Sequence, residues 1–182
     1  PANRFRSEQR VSVDDGWTSA ADPEDGDGEP PPLKTTVRIV TARTIISRND
    51  SPDIPFTQSI NPYQGCEHGC GYCYARPTHA YLGLSPGLDF ETKLLAKLDA
   101  ATLLERELAK PGYSCQPIAL GTNTDPYQPV EGRLRITRGV LEVLARCRHP
   151  LTIVTKSAAV VRDLDLLAPM ARDDLARVAI SV

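Results

Sequence analysis

Cys66-Glu67-His68-Gly69-Cys70-Gly71-Tyr72-Cys73 places three thiols in one short stretch, with three and then two residues between successive cysteines. Gly69 and Gly71 free the backbone to wrap tightly, so such a loop can aim three thiolates at one centre. Three ligands are one short of a structural zinc site or a closed iron-sulfur cluster, which take four, zinc usually as two separated pairs. The spacing therefore points to a metal centre with one position left open for a ligand. The rival is a zinc loop that recruits His68 or His79 as its fourth ligand, in a nucleic-acid-binding module without catalysis.

Cysteine usage elsewhere agrees with metal or redox chemistry. The chain holds 5 Cys and shows no basic start followed by an apolar segment, so a disulfide framework is not expected and the cytoplasm is the expected compartment. Cys115 and Cys147 read as small buried hydrophobes or inert thiols. His149, between Arg148 and Pro150, reads as a solvated loop residue.

Outward from the cysteines, the 182 residues are 41% hydrophobic, enough for one core of ordinary domain size. Apolar runs such as 151–154 and 158–161 fall far short of the roughly 18 residues that span a bilayer, which excludes a membrane protein. The net charge of -2 conceals an asymmetry. Eight acids and three bases lie in the first 32 residues, leaving 18 bases against 15 acids in the rest, too small an excess for a strong phosphate-binding field. Residues 1–34 read as a disordered acidic arm with Trp17 exposed in it, and residues 35–182 as the folded part. The start at Pro1 and the stop at Val182 inside a strand-like run suggest part of a longer protein, with an unpaired sheet edge that would leave the piece unstable alone.

The folded part alternates strand and helix. Thr35 to Ile46 alternates like a strand, 90–98 is ambiguous, and Asp99 is positioned to cap a helix over 100–109 ended by Pro111-Gly112. Ile118 to Leu120 reads as a short buried strand, 121–126 as a loop, and Thr137 as the cap of a helix to about Cys147. Leu151 to Thr155 reads as strand, 157–170 as helix and 177–182 as strand. That rhythm argues a parallel α/β sheet or barrel, whose functional loops follow the strands' C-terminal ends.

The cysteine spacing, with the aromatic Tyr72 just before the last Cys, resembles the signature of the radical S-adenosylmethionine (SAM) superfamily. Asn61-Pro62-Tyr63-Gln64-Gly65, Asn123-Thr124-Asp125, Val154-Thr155-Lys156 and Ile180-Ser181 are similar to motifs of its branch containing spore photoproduct lyase and the "DNA repair photolyase" relatives. The resemblance implies a partial (β/α) TIM-type barrel, cut after about the fourth strand, with the cysteine loop after the first. It implies that Cys66, Cys70 and Cys73 hold a four-iron four-sulfur (4Fe-4S) cluster, and that Thr124, Asp125, Lys156 and Ser181 hold the SAM methionyl group. It implies reductive cleavage of SAM to a 5′-deoxyadenosyl radical, with electrons from a flavodoxin- or ferredoxin-type donor. The substrate is not legible, and nucleic acid is one class it could take.

Each match has a plainer reading beside it. Asp125 could be a turn former ahead of Pro126, Lys156 a solvated residue, and Tyr72 a packing residue beside the cluster. Tyr74 could pack there or relay a hydrogen atom, as the resemblance implies for the lyase branch. Arg133, Arg135 and Arg138 read as a solvated face or a phosphate contact. Photoproduct lyase chemistry, the alternative enzymatic reading, requires a thiol hydrogen donor at the position that Thr122 holds here.

Overall fold

The computed structural model describes residues 34–181; the acidic arm and Trp17 lie outside the described residues. Strand β1 (Thr36–Ile39) and β2 (Ile46–Arg48) come first, then β3 (Gln58–Ile60) and β4 (Tyr63–Gln64). A 3-10 turn over Arg76–Leu82 follows the cysteines and leads to helix α1 (Leu88–Thr92), β5 (Lys93–Ala96) and α2 (Ala100–Leu108). The remainder is β6 (Ile118–Leu120), α3 (Glu131–Leu134), α4 (Ile136–Arg146), β7 (Leu151–Thr155), α5 (Leu164–Arg172) and β8 (Ala176–Ile180). No helix among the described residues is long and apolar enough to cross a membrane.

Two sheets result. One runs β2-β3-β6-β7-β8, parallel from β3 to β8 with β2 antiparallel at its edge; the other is β1-β5-β4. This is the alternating α/β architecture expected, and among the described residues the larger sheet is open. The parallel register sets Ile60 beside Leu120, Leu120 beside Ile153, and Thr155 beside Ile180. The chain therefore leaves all four parallel strands at one edge, where Asn61, Gly121, Lys156 and Ser181 stand.

The core is built by helix faces against these strands. In α4 the residues Ile136, Val140, Leu141, Val143 and Leu144 are buried, the spacing of one helical face. The α4 N-terminus is capped from α3: the Glu131 carboxylate accepts the N–H of Thr137 at 3.1 Å and of Arg138 at 3.2 Å. Thr137 is thus not the cap; Arg135 holds that position at φ 52°, and the Thr137 hydroxyl donates to the Pro126 carbonyl at 2.7 Å. Glu131 also receives the buried Tyr63 hydroxyl, which fastens β4, just ahead of the cysteines, to α4.

Further expectations are corrected or resolved. Thr35 to Ile46 is two strands in two sheets, because β1 pairs with β5 and β2 pairs with β3. The strand ahead of the cysteines in the parallel sheet is consequently β3, which is wholly buried although Gln58 and Ser59 are polar. Gln58 is satisfied there by the Ser114 carbonyl and the Tyr113 hydroxyl. The stretch 90–98 is helix and then strand, and 157–170 divides into a 3-10 turn over Ala158–Asp163, capped by the Ser157 hydroxyl, and α5. His149 is buried, its ring bridging Tyr113 and the Pro150 carbonyl, while Cys115 and Cys147 are exposed.

Gly121 fixes the approach of β6 to β7. At φ +86° it lies in the left-handed region, and a Cβ there would sit 1.9 Å from the Val154 carbonyl oxygen. Gly121→Ala should cost about 3 kcal/mol or more, combining left-handed strain with backbone overlap. Gly83→Ala, at φ +72° with open space around it, should cost only about 1–2 kcal/mol. Urea denaturation of both variants checks the contrast.

Candidate functional site

The cysteine loop is held from three sides. Gly65 turns the chain into it at φ +81°, so closely packed that a Cβ would meet Leu94, the Phe90 carbonyl and His79 within 2.9 Å. The Cys66 N–H donates to the Phe90 carbonyl at 2.8 Å. Gln128, fully buried, donates to the Gly65 carbonyl at 3.2 Å and accepts the Glu67 N–H at 3.0 Å, while Glu67 accepts the Val130 N–H at 2.7 Å. The loop is zipped in this way to the segment after β6.

Burial pushes the Cys66 thiol up to about 11, outweighing the backbone N–H groups of Asp125 and His68 that face its sulfur. All three thiols line one open pocket at the C-terminal edge of the larger sheet. Among the described residues no group of three Cys, His, Asp or Glu is arranged to hold a single metal ion.

Across the pocket stands Asp125, on the loop after β6. Its Oδ1 accepts the Thr155 hydroxyl at 2.6 Å and the Tyr127 N–H at 2.8 Å; its Oδ2 accepts the Lys156 N–H at 2.7 Å. The His68 Nε2 lies 3.4 Å from the same Oδ2 without an aligned hydrogen bond. Burial raises the Asp125 carboxyl, but these donors outweigh it and hold the group below its ordinary range. Asp125 is thus a junction between the ends of β6 and β7 with His68 of the cysteine loop against it, and Oδ2 keeps capacity for a further donor.

The residues expected to bind SAM fall around the same pocket. Thr124 is buried, its hydroxyl donating to the Tyr63 carbonyl at 3.1 Å. The Lys156 ammonium donates to the Ser181 hydroxyl at 3.2 Å and sits 5.4 Å from the Tyr72 ring centroid. Its proximity to Tyr72 is the main influence raising its proton affinity. Thr124, Asp125, Lys156, Ser181 and Tyr74 line the pocket with the cysteines. Tyr72 stands at its margin, 80% exposed beneath the Lys156 ammonium, and Tyr74 is 75% exposed.

Other candidates lie elsewhere. His79 is buried against Phe90 with Nε2 on the Lys93 carbonyl and does not line the pocket. Arg138 is engaged by Asp163, Asp165 and Glu142, while Arg133 and Arg135 are exposed as a solvated face would have them. The sequence reading missed Arg76, Glu67, Gln128 and Thr155. Of these, Thr155 sits inside the quoted Val154-Thr155-Lys156, and Arg76 follows the cysteines closely enough to reach the carbonyls of their loop.

Comparison with known proteins agrees with this architecture. No family model matches the chain. Uncharacterized proteins of Mycobacterium tuberculosis and Mycobacterium bovis are 45% identical over 129 residues, 71% of this chain and 38% of theirs. An uncharacterized protein of Methanocaldococcus jannaschii is 31% identical over 107 residues, covering 59% of this chain and 38% of its own. The chain therefore spans well under half the length of these relatives. Solved structures of spore photoproduct lyase, one complexed with dinucleoside spore photoproduct, match at a TM-score of 0.52 and 18% identity over 80% of this chain and 39% of theirs. The likeness is one of fold: the mixed α/β arrangement described above is similar to part of that enzyme.

Removing the donor that anchors Asp125 tests the junction. Thr155→Val keeps the side chain's shape but deletes the hydroxyl on Oδ1 and the acceptor for the Ser157 N–H. It should cost roughly 1.5–3 kcal/mol, the range for a hydrogen bond to a charged group, read from urea denaturation.

Proposed function

We propose that the pocket belongs to a radical SAM iron-sulfur enzyme, in which Cys66, Cys70 and Cys73 hold a 4Fe-4S cluster and Thr124, Asp125, Lys156 and Ser181 hold the methionyl group of SAM. The observation that carries this reading is the gathering, around one pocket, of three thiols from one loop with polar groups from the ends of three further parallel strands. The rival zinc loop would leave Asp125 and Lys156 without a role, although both line the pocket with the three thiols. When bound, the cluster supplies one electron to the SAM sulfonium, whose C–S cleavage gives methionine and a 5′-deoxyadenosyl radical able to take hydrogen from substrate.

The chain's own residues do the binding and orienting. Ligation needs thiolates, so loading releases protons, and burial of the Cys66 thiol opposes that release. Lys156 offers a cation to the SAM carboxylate from a position set by its backbone bond to Asp125. The remaining acceptor capacity of Asp125 Oδ2 suits the SAM ammonium. Thr124, whose hydroxyl donates to the Tyr63 carbonyl, keeps acceptor lone pairs that suit the SAM ammonium. Tyr74 lines the pocket as a candidate hydrogen-atom relay. The electron donor is a small flavodoxin- or ferredoxin-type protein in this reading.

The substrate is a separate matter. Thr122 lines the pocket with its hydroxyl bonded to Asn61, and Cys115, the nearest thiol in sequence ahead of it, lies before β6 at the opposite end of that strand. A threonine O–H is too strong a bond to give hydrogen to a carbon radical, so spore photoproduct repair is not expected.

Anaerobic reconstitution with iron and sulfide tests the ligand set. Cys66→Ala, Cys70→Ala and Cys73→Ala should each fail to hold a full cluster, while Cys115→Ala and Cys147→Ala load like the wild type; a full cluster in any of the first three contradicts the assignment. Lys156→Ala should keep its iron and bind SAM several-fold more weakly. With dithionite and SAM, a thymine-dimer dinucleotide should remain unrepaired by chromatography, and conversion to two thymidines that depends on Cys66 would establish lyase chemistry instead.

A further inference from the structure

Arg76 divides its guanidinium between the cysteine loop and the segments packed beside it. Its Nε donates to the Cys70 carbonyl at 2.9 Å and its Nη2 to the Gly69 carbonyl at 2.8 Å. Its Nη1 reaches the Pro86 and Gly87 carbonyls at 3.2 and 3.1 Å, and Nη2 also pairs with Glu91. The plane sits 5.5 Å from the Phe90 ring centroid. One side chain therefore ties three segments together: the loop, the turn before α1, and α1 itself. It does so from outside the pocket, which it does not line.

The loop needs such a constraint. Gly69, at φ +61°, and Gly71 give it the freedom to wrap, and that freedom is entropy that must be removed before three thiols share one centre. Glu91 is pressed against the loop as well, because a Cβ on Gly69 would meet its carboxylate at 2.8 Å. Peptide planarity adds a second consequence. With the Gly69 and Cys70 carbonyls turned to Arg76, the N–H groups of Cys70 and Gly71 are turned to the opposite side of the loop. Hydrogen bonds to sulfur are among the factors that set the potential and stability of an iron-sulfur cluster.

We infer that Arg76 is a positioning residue for cluster binding, fixing the cysteine loop through the Gly69 and Cys70 carbonyls so that the three thiols are set before metal arrives. The inference rests on the cluster reading above. Lysine cannot replace it, since one ammonium on a flexible stem lacks the planar fork that spans both carbonyls and Glu91.

The test compares wild type with Arg76→Met, Arg76→Lys and the milder Glu91→Gln. In reconstituted protein, iron transfer to a chelator should be at least about tenfold faster in both Arg76 variants, with the EPR spectrum of the reduced cluster altered. The effect should be smaller in Glu91→Gln, which leaves every carbonyl contact in place. In cluster-free protein, amide exchange of residues 69–73 should accelerate while that of β6, β7 and α4 stays unchanged, which separates loop positioning from general destabilisation. Iron loss at the wild-type rate in Arg76→Lys, or unchanged loop exchange in Arg76→Met, overturns the inference and leaves the cluster reading standing. A wild-type chain that takes up no iron overturns both.

Discussion

The Asp125 carboxylate is the contact on which the site depends. Its two oxygens receive the Thr155 hydroxyl and the backbone N–H groups of Tyr127 and Lys156, with His68 of the cysteine loop 3.4 Å away. The ends of β6 and β7 and the cysteine loop thus meet at one buried negative charge. A buried carboxylate is costly unless donors surround it, and here the chain supplies them from loops distant in sequence. Gly121 lets the backbones approach closely enough for this to happen, and a Cβ there would overlap the Val154 carbonyl oxygen. Lys156, the one residue bonded to Asp125 through its backbone that also carries a pocket cation, takes its place from this junction.

A second buried charge, Glu131, does for the scaffold what Asp125 does for the site. It caps α4 and receives the Tyr63 hydroxyl, and Tyr63 in turn accepts the Thr124 hydroxyl through its carbonyl. The path from β4 to α4 and back to the loop after β6 holds the segment ahead of Cys66 and the residue ahead of Asp125 in one network. Burial raises the Glu131 carboxyl while its donors oppose the rise. At Asp125, by contrast, the opposing donors prevail over burial.

The C-terminal half of the fold was legible in the sequence because its strands are short apolar runs that pair with one another. Ile118 to Leu120 and Leu151 to Thr155 stand where the pattern put them, and the loop of 121–126 lies between β6 and α3. The N-terminal half was not, because its strands pair over long distances that a local pattern does not record. Thr35 to Ile46 alternates like one strand, yet its two ends join different sheets, and β3 hides as Gln58-Ser59-Ile60 because Tyr113 and Ser114 satisfy its glutamine. His149 looked solvated for the same reason, its partner Tyr113 being far away in sequence. At the site, thiol spacing and the polar residues after each strand could be read directly. Arg76 and Gln128 could not, since their roles lie in contacts to carbonyls and N–H groups that only the folded loop presents.

The account holds that the three thiols and the Asp125–Lys156 junction serve one reaction centre. EPR spectroscopy of the dithionite-reduced, reconstituted protein before and after addition of SAM tests this most directly. A cluster with one iron free to bind SAM should show a spectrum whose shape and g-values change on addition, and the change should weaken in Lys156→Ala at the same SAM concentration. A reduced cluster whose spectrum is indifferent to SAM would contradict the account.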